Sequence, residues 1–150
     1  MKKKILMLII VLVWSGVLFF FSGQSAVTSG ELSLSLVDRV LVLFPGIDME
    51  PLELEHVLRK LAHFAIFAVE GMLVFAALNT FRSGVLGNFV IAVAVCAAVG
   101  GLNELHQMFS EGRSCQFTDV LIDAAGGLAG ASAGAAAVWF MHKLDRWRRV

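Results

Sequence analysis

The chain has 150 residues, of which 58% are hydrophobic and only 16% charged, and its formal net charge is zero. A mean hydropathy of +0.81 excludes a water-soluble domain, and the length allows no more than one compact unit. We therefore expect residues 1–150 to form a single all-α membrane domain. The Lys and Arg runs at both ends flank apolar segments, where they anchor topology, so no nucleic-acid partner is expected.

Four apolar segments are each near the ~20 residues that cross a hydrocarbon core about 30 Å thick. They are residues 5–21, 61–81, 85–102 and 120–141. Only residues 82–84 join the second and third segments, which forces an antiparallel hairpin. We expect four transmembrane helices in an antiparallel bundle. The first segment could instead be a signal peptide, but it exceeds the usual apolar region of about 7 to 15 residues, so we expect an uncleaved span.

The basic residues are distributed unevenly between the two sides of these four spans. One side carries Lys2, Lys3, Lys4, Arg82, Lys143, Arg146, Arg148 and Arg149. The other side carries only Arg39, Arg59, Lys60 and Arg113. Because Lys and Arg are enriched in cytoplasmic segments, we expect a multi-pass protein of the cell membrane with both termini in the cytoplasm.

Residues 22–58 form the longest stretch between spans and are too many for an unstructured loop in a compact domain. The sequence Thr-Ser-Gly-Glu at residues 28–31 matches a capping box, and Pro45-Gly46 would end a helix. Apolar residues recur between them on one helical face: Val37, Val40, Leu41 and Phe44. This pattern predicts an amphipathic outer helix between the first two spans, either lying in the interface or packed on the bundle as a lid.

The second spanning helix should begin before the hydrocarbon region. Pro51 favours a first helical turn, and Glu50 and Glu53 suit the positive end of a helix. Glu70 would then lie ~15 Å below Lys60, near the middle of the membrane. A carboxyl group there is either hydrogen-bonded to a neighbouring helix or part of a proton relay, and the sequence leaves both roles open.

Glycines repeat at four-residue spacing in the fourth segment, at Gly126, Gly130 and Gly134. Small residues let helix backbones approach closely in lipid, so we expect this span at the centre of the bundle. A phosphate-binding glycine loop would follow a strand, and no strand is evident in the sequence.

Polar residues crowd the same end of the last three spans. They are Arg59, Lys60, His63, Asn103, Glu104, His106, Gln107, Arg113, Gln116, Asp119 and Asp123. A charge within the hydrocarbon costs about 2.5 to 3.5 kcal/mol on insertion scales, so these groups should be paired or used. The predicted inner, ligand-binding members are Lys60, His63, Glu104, Gln107, Arg113 and Asp123. We expect Arg59, His106 and Asp119 at the periphery.

Two interpretations of this cluster remain open. Arg113 is the natural partner of Asp123, because a guanidinium binds carboxylates bidentately, and Lys60 is the other available cation. These cations could simply neutralise the carboxylates and lock the helices together. Alternatively, water and a ligand enter the cluster, and the candidates for a catalytic role are then Glu104, Asp123 and His63.

A metal site could draw on His63, Glu104, His106, Asp119 and Asp123. The chain has no His-Glu-x-x-His motif and no paired cysteines, so we expect no metal and no other cofactor. Serine nucleophile chemistry is not expected either, because no Gly-x-Ser-x-Gly turn is present.

Four short motifs occur in order at the corresponding ends of the four spans. They are Phe-Ser-Gly-Gln-Ser at 21–25, Arg-Lys-Leu-Ala-His-Phe at 59–64, Glu-Leu-His-Gln-Met-Phe at 104–109 with Gly112-Arg113, and Asp-Val-Leu-Ile-Asp at 119–123 with Gly126. Together they resemble VanZ-like membrane proteins over almost the whole chain. The chain departs from that pattern at Asn103, where an acid is common.

The resemblance implies a protein of the bacterial cell envelope and, for the founding members, low-level resistance to glycopeptide antibiotics, notably teicoplanin. It implies no established reaction. We therefore expect a non-enzymatic protein whose outward pocket binds an anionic membrane lipid or a lipid-linked wall precursor. The alternative is a membrane-embedded hydrolase or transferase that acts on such a lipid. The small-residue fourth span leaves homo-oligomerisation open.

Overall fold

The computed structural model describes residues 1–82 and 84–147 and contains five helices and no strand in those ranges. The helices are α1 (Lys2–Ser22), α2 (Ala26–Leu43), α3 (Pro51–Phe81), α4 (Val85–Gln107) and α5 (Phe117–Trp147). Ser83, in the predicted hairpin, and Arg148 and Arg149, in the predicted topology, lie outside the described residues. The predicted all-α fold is confirmed.

Within the described ranges, four helical stretches are long and apolar enough to cross a membrane: Lys2–Ser22, Pro51–Phe81, Val85–Gln107 and Phe117–Met141. Few of their side chains are buried by the protein itself, least of all in α1. Large apolar side chains therefore line the surface, among them Leu12 and Phe20, each 69% exposed. Such a surface suits contact with lipid chains, and the chain is a multi-pass membrane protein by this criterion.

The helices are longer than the predicted spans. The apolar part of the second span was predicted from residue 61, within a helix that begins earlier at Pro51, and α3 does run unbroken from Pro51 to Phe81, so its first turns carry polar residues. Likewise α4 continues past residue 102 to Gln107, and α5 starts at Phe117. Hydropathy marks only the part of a helix that fits the hydrocarbon, whereas backbone hydrogen bonding continues through polar turns. The polar cluster consequently lies on rigid helix rather than on loops.

The helix predicted between the first two spans is α2, but its predicted capping box is wrong. The helix begins earlier, because the Ser25 hydroxyl accepts a hydrogen bond from the Thr28 backbone N–H at 3.3 Å and so caps the first turn. It ends at Leu43, before Pro45-Gly46 as predicted. Val37 is buried, and the helix packs against α3.

Glycine allows α3 and α5 to pack with their backbones in contact. A Cβ on Gly130 would overlap the carbonyl oxygen of Ala68, one on Gly126 would overlap that of Phe64, and one on Gly71 would overlap that of Gly127. On an adjacent face of α5, Gly127 leaves room for Cys96 of α4. Small residues do bring α5 close to α3 and α4, but the prediction that this span lies at the centre of the bundle is wrong. Among the described residues, α3 is the helix that packs against all four others, because its length lets it contact α1 and α2 as well as α4 and α5.

The Gly130 contact can be tested with a single methyl group. Gly130→Ala should destabilise the protein by about 2 kcal/mol or more, because a backbone carbonyl cannot move aside as a flexible side chain can. The melting temperature in lipid nanodiscs measures the effect. Gly101→Ala is the matched control, since its Cβ would meet no atom within 4 Å. Equal melting temperatures for the two variants would contradict the packing described here.

Candidate functional site

A cavity of about 470 Å³ lies between α1, α2 and α3. Asn103 of α4 and Arg113, from the segment between α4 and α5, complete its wall. Its apolar lining includes Leu18, Leu32, Leu36, Leu58, Ile66 and Phe67. Its polar lining includes Ser22, Ser29, Ser33, Arg39, Arg59, His63, Asn103 and Arg113. The cavity is thus apolar on much of its surface, with cations grouped on the rest.

The residues before Arg113 hold this side chain against the cavity. Gly112 has a φ of 74°, a left-handed conformation that favours glycine, and a Cβ there would also press on the Ala26 side chain at 3.0 Å. The neighbouring Glu111 carbonyl accepts a hydrogen bond from the Ala26 backbone N–H at 3.0 Å. These contacts join the α4–α5 segment to the start of α2 and direct the chain at Arg113 towards α1.

Arg113 connects α1 and α2 through its guanidinium. It donates to the Ser22 carbonyl at 3.3 Å and to the Ser29 hydroxyl at 2.6 Å, while its Nε has no partner. Burial lowers the pKa of this guanidinium, and the nearby positive charge of Arg59 lowers the pKa further, whereas Glu104 and Asp119 oppose the shift. An anion in the cavity would offset both unfavourable effects.

Arg59 also lines the cavity and is held by Glu55, one helical turn earlier, which is buried. Arg39 of α2 is the third arginine of the lining. No Asp or Glu is among the described residues that line the cavity. The lining therefore combines three arginines with apolar surface, which is the composition expected of a site for an anion that carries a hydrophobic tail.

A second polar group lies where α3, α4 and α5 meet. His63 Nδ1 is 3.0 Å from Asp123 Oδ1, and Glu104 Oε2 accepts a hydrogen bond from the Gln116 backbone N–H at 2.9 Å. Asp123 and Glu104 are fully buried, whereas His63 also reaches the cavity wall. His63 thus connects the cationic cavity with a buried carboxylate cluster.

The predicted pairing of Arg113 with Asp123 is wrong, because Asp123 contacts His63 and Arg113 contacts two serines. Linear spacing on separate helices does not specify which side chains meet across an interface. The prediction that Asp123 needs a partner is nevertheless met by His63. Asp119 lies in the first turn of α5, and one of its carboxylate oxygens is buried with no hydrogen-bond partner among the described residues.

The structure brings together only part of the predicted ligand-binding set. His63 and Arg113 line the cavity, and Glu104, Gln107 and Asp123 are buried outside its lining. Lys60 is exposed and does not line the cavity. Arg59, which was predicted at the periphery, does line it. One residue along a helix is a rotation of 100°, so these neighbours face different surroundings. His106, predicted at the periphery, is exposed and packs edge-to-face on the Phe19 ring.

Sequence reasoning missed Ser22, Ser29 and Arg39 as lining residues. Ser22 is within the motif at residues 21–25, which is a usable signal. Ser29 and Arg39 carry no signal of their own, because their role follows from where α2 packs.

Glu70 lies apart from the cavity, fully buried in α3. Its Oε1 is 2.8 Å from the hydroxyl of Ser15 in α1, and Oε2 has no partner. The Ser15 hydroxyl is also 3.0 Å from the Val11 carbonyl. The predicted hydrogen bond between Glu70 and a neighbouring helix is therefore confirmed, and a proton-relay role stays a hypothesis.

Arg113 should hold α2 over the cavity, and this can be measured by thiol labelling. Arg113→Ala removes two hydrogen bonds from a charged donor, each contributing about 1.5 to 3 kcal/mol, so local opening should increase at least tenfold. The reporter is Val37→Cys, buried beneath α2, with the exposed Cys115 replaced by Ser and the buried Cys96 retained. Lys60→Ala is the control, because Lys60 is an exposed cation outside the cavity lining. An unchanged N-ethylmaleimide reaction rate in Arg113→Ala would refute the tethering role.

A comparison with known protein families identifies the family of this chain. Residues 6–140 match the model of the VanZ/LLP1 family, which covers every helix of the described structure in whole or in large part. No curated protein and no solved structure matches the chain. The match includes all four motifs from which the resemblance was drawn, and it confirms that resemblance. The chain therefore belongs to the VanZ/LLP1 family.

Proposed function

We propose that this protein binds an anionic membrane lipid or lipid-linked wall precursor in the cavity between α1, α2 and α3. The observation that carries this proposal is the grouping of Arg39, Arg59 and Arg113 in a lining that is otherwise largely apolar. The four spans would run antiparallel as a bundle in the bacterial cell membrane, with both termini in the cytoplasm. The cavity would then open towards the outer surface, where lipid-linked precursors are used.

The arginines suit a phosphate group. A guanidinium presents paired N–H donors that match two phosphate oxygens, and it is less strongly hydrated than an ammonium group. Arg113 has an Nε without a partner, and Arg59 likewise has a buried Nε without one. Both therefore retain donor capacity after their contacts within the protein are made.

The apolar lining suits the hydrocarbon part of the same ligand. Leu18 and Ile66 come from two spanning helices, and Leu32 and Leu36 come from α2. A cavity of about 470 Å³ is within the usual range for small-molecule sites, so it can hold a headgroup and the first part of a chain. The rest of the chain would extend into the bilayer beside the helices.

Membership of the family extends this proposal to low-level glycopeptide resistance, notably to teicoplanin. A protein that binds a lipid-linked wall precursor would change how much of that precursor is accessible to the drug. The resistance would then depend on the cavity arginines, with no chemical modification of the drug.

A membrane-embedded hydrolase or transferase is the alternative, and the His63–Asp123 pair beside the cavity is the observation that favours it. A carboxylate that contacts an imidazole orients it for proton transfer. Glu104 or Asp123 would act as the base, and Arg113 would stabilise developing negative charge.

Binding should depend on Arg59 and Arg113, two of the three arginines that line the cavity. Arg59→Gln and Arg113→Gln should each weaken binding to phosphatidylglycerol by at least about tenfold, because each removes one charge-assisted contact. Microscale thermophoresis of the detergent-solubilised protein against phosphatidylglycerol and phosphatidylcholine gives the affinity. Lys60→Gln is the matched control, since it removes a cation next to Arg59 that is outside the cavity. A Lys60→Gln loss equal to that of Arg59→Gln would overturn the cavity as the site.

The two proposed functions differ in whether a precursor is consumed. Incubation of the purified protein with radiolabelled undecaprenyl-linked precursor, with and without divalent metal, should give binding without turnover. Turnover that is lost in both Glu104→Gln and Asp123→Asn would instead establish the hydrolase or transferase.

A further inference from the structure

The carboxylate cluster beside the cavity is not explained by anion binding. His63, Glu104 and Asp123 each place one potential ligand atom within 4.8 Å of the others. The three residues come from α3, α4 and α5 respectively. Glu104 and Asp123 are both 0% exposed, whereas His63 reaches the cavity wall.

Hydrogen bonding within the protein leaves this cluster incomplete. Glu104 Oε1 and Asp123 Oδ2 are buried and have no hydrogen-bond partner among the described residues. The same is true of Asn103 Oδ1, one residue before Glu104. Unsatisfied buried acceptors are rare, so the free oxygens of Glu104 and Asp123 call for a donor or a cation beyond the contacts that the described residues make.

The nearby arginines do not supply that charge. Arg59 pairs with Glu55, and the described donor contacts of Arg113 are to Ser22 and Ser29. Within the described part of the chain, the ion-pair contact of this cluster is the one between His63 and Asp123. With a neutral imidazole and both carboxylates ionised, as in a metal-bound site, the three side chains would carry a charge of −2, which one divalent cation balances.

We propose that His63, Glu104 and Asp123 bind a divalent transition-metal ion. Zn²⁺ is the ion that fits this set of ligands best. Donor atoms bonded to Zn²⁺ at about 2.0–2.1 Å in a tetrahedron are about 3.3 Å apart. His63 Nδ1 and Asp123 Oδ1 are 3.0 Å apart, and the whole set is within 4.8 Å, so small side-chain rotations suffice. One imidazole with two carboxylates favours Zn²⁺, Fe²⁺ or Mn²⁺ over Mg²⁺ or Ca²⁺.

Three protein ligands leave a fourth position for water or for a ligand in the cavity. Because His63 is part of the cavity wall, the bound metal would be accessible from that side. The ion would add a further positive charge next to Arg59 and Arg113. The metal site does not depend on the proposed lipid, because its ligands and its unsatisfied oxygens are properties of the protein alone.

Co²⁺ provides a direct test, since its visible absorption reports both binding and coordination number. The protein is purified without a histidine tag, stripped with EDTA and reconstituted in phosphatidylcholine nanodiscs, so that no anionic lipid is present. We expect one equivalent of Co²⁺ to bind, with the intense bands of a four- or five-coordinate site and with competition by Zn²⁺ but not by millimolar Mg²⁺.

Variants assign the ligands. Asp123→Asn, Glu104→Gln and His63→Gln should each weaken Co²⁺ binding by at least about 100-fold, because each removes one of three ligands. His56→Ala is the matched control, an exposed histidine two turns earlier in α3. If Asp123→Asn does not fold, His63→Gln at the cavity wall gives the same information. Failure of the wild type to bind one equivalent, or binding retained in His63→Gln, would overturn the metal site.

The two proposals can fail separately. EDTA-treated protein that still binds phosphatidylglycerol in an Arg113-dependent manner, but binds no Co²⁺, would refute the metal site and leave the cavity proposal intact. The protein could instead bind Co²⁺ in phosphatidylcholine nanodiscs and have equal affinity for phosphatidylglycerol and phosphatidylcholine. That result would refute the cavity proposal and leave the metal site intact.

Discussion

The backbone contact between α3 and α5 is the constraint on which the site depends. Gly126 allows α5 to approach the Phe64 carbonyl, and that carbonyl belongs to the residue after His63. Asp123 lies three residues before Gly126, on the same face of α5. The glycine contact therefore sets the register in which Asp123 meets His63. A larger residue at this contact would separate the helices and, with them, the imidazole and the carboxylate.

Charge is divided between two neighbouring regions of the structure. The cavity wall has guanidinium groups and no carboxylate among its described residues, whereas Glu104 and Asp123 lie buried beyond it. His63 contacts both regions. In a low-dielectric interior, opposite charges would be expected to pair directly, so their separation has a cost that a bound anion on one side and a bound cation on the other would remove.

The segment between α4 and α5 gives the cavity its shape. Its Gly112 adopts a backbone conformation that favours glycine, and its Glu111 carbonyl accepts the Ala26 N–H at 3.0 Å. Arg113 then reaches both Ser22 and Ser29. One short motif thereby positions a cavity cation and holds α2 against the spanning helices, which explains why a helix with few buried side chains is still placed specifically.

Hydropathy and motif order in the sequence alone determined the four apolar helices, the helix between the first two, the close packing of the glycine-rich fourth span and the family. These features depend on local composition and on periodicity within one segment, so no knowledge of the other helices was needed. Only the tertiary structure decided that Arg59 rather than Lys60 lines the cavity, that Asp123 meets His63 rather than Arg113, and that three potential metal ligands converge. Those outcomes depend on the rotation and register of helices packed against each other, and a small rotation of any one of them would change which side chains meet.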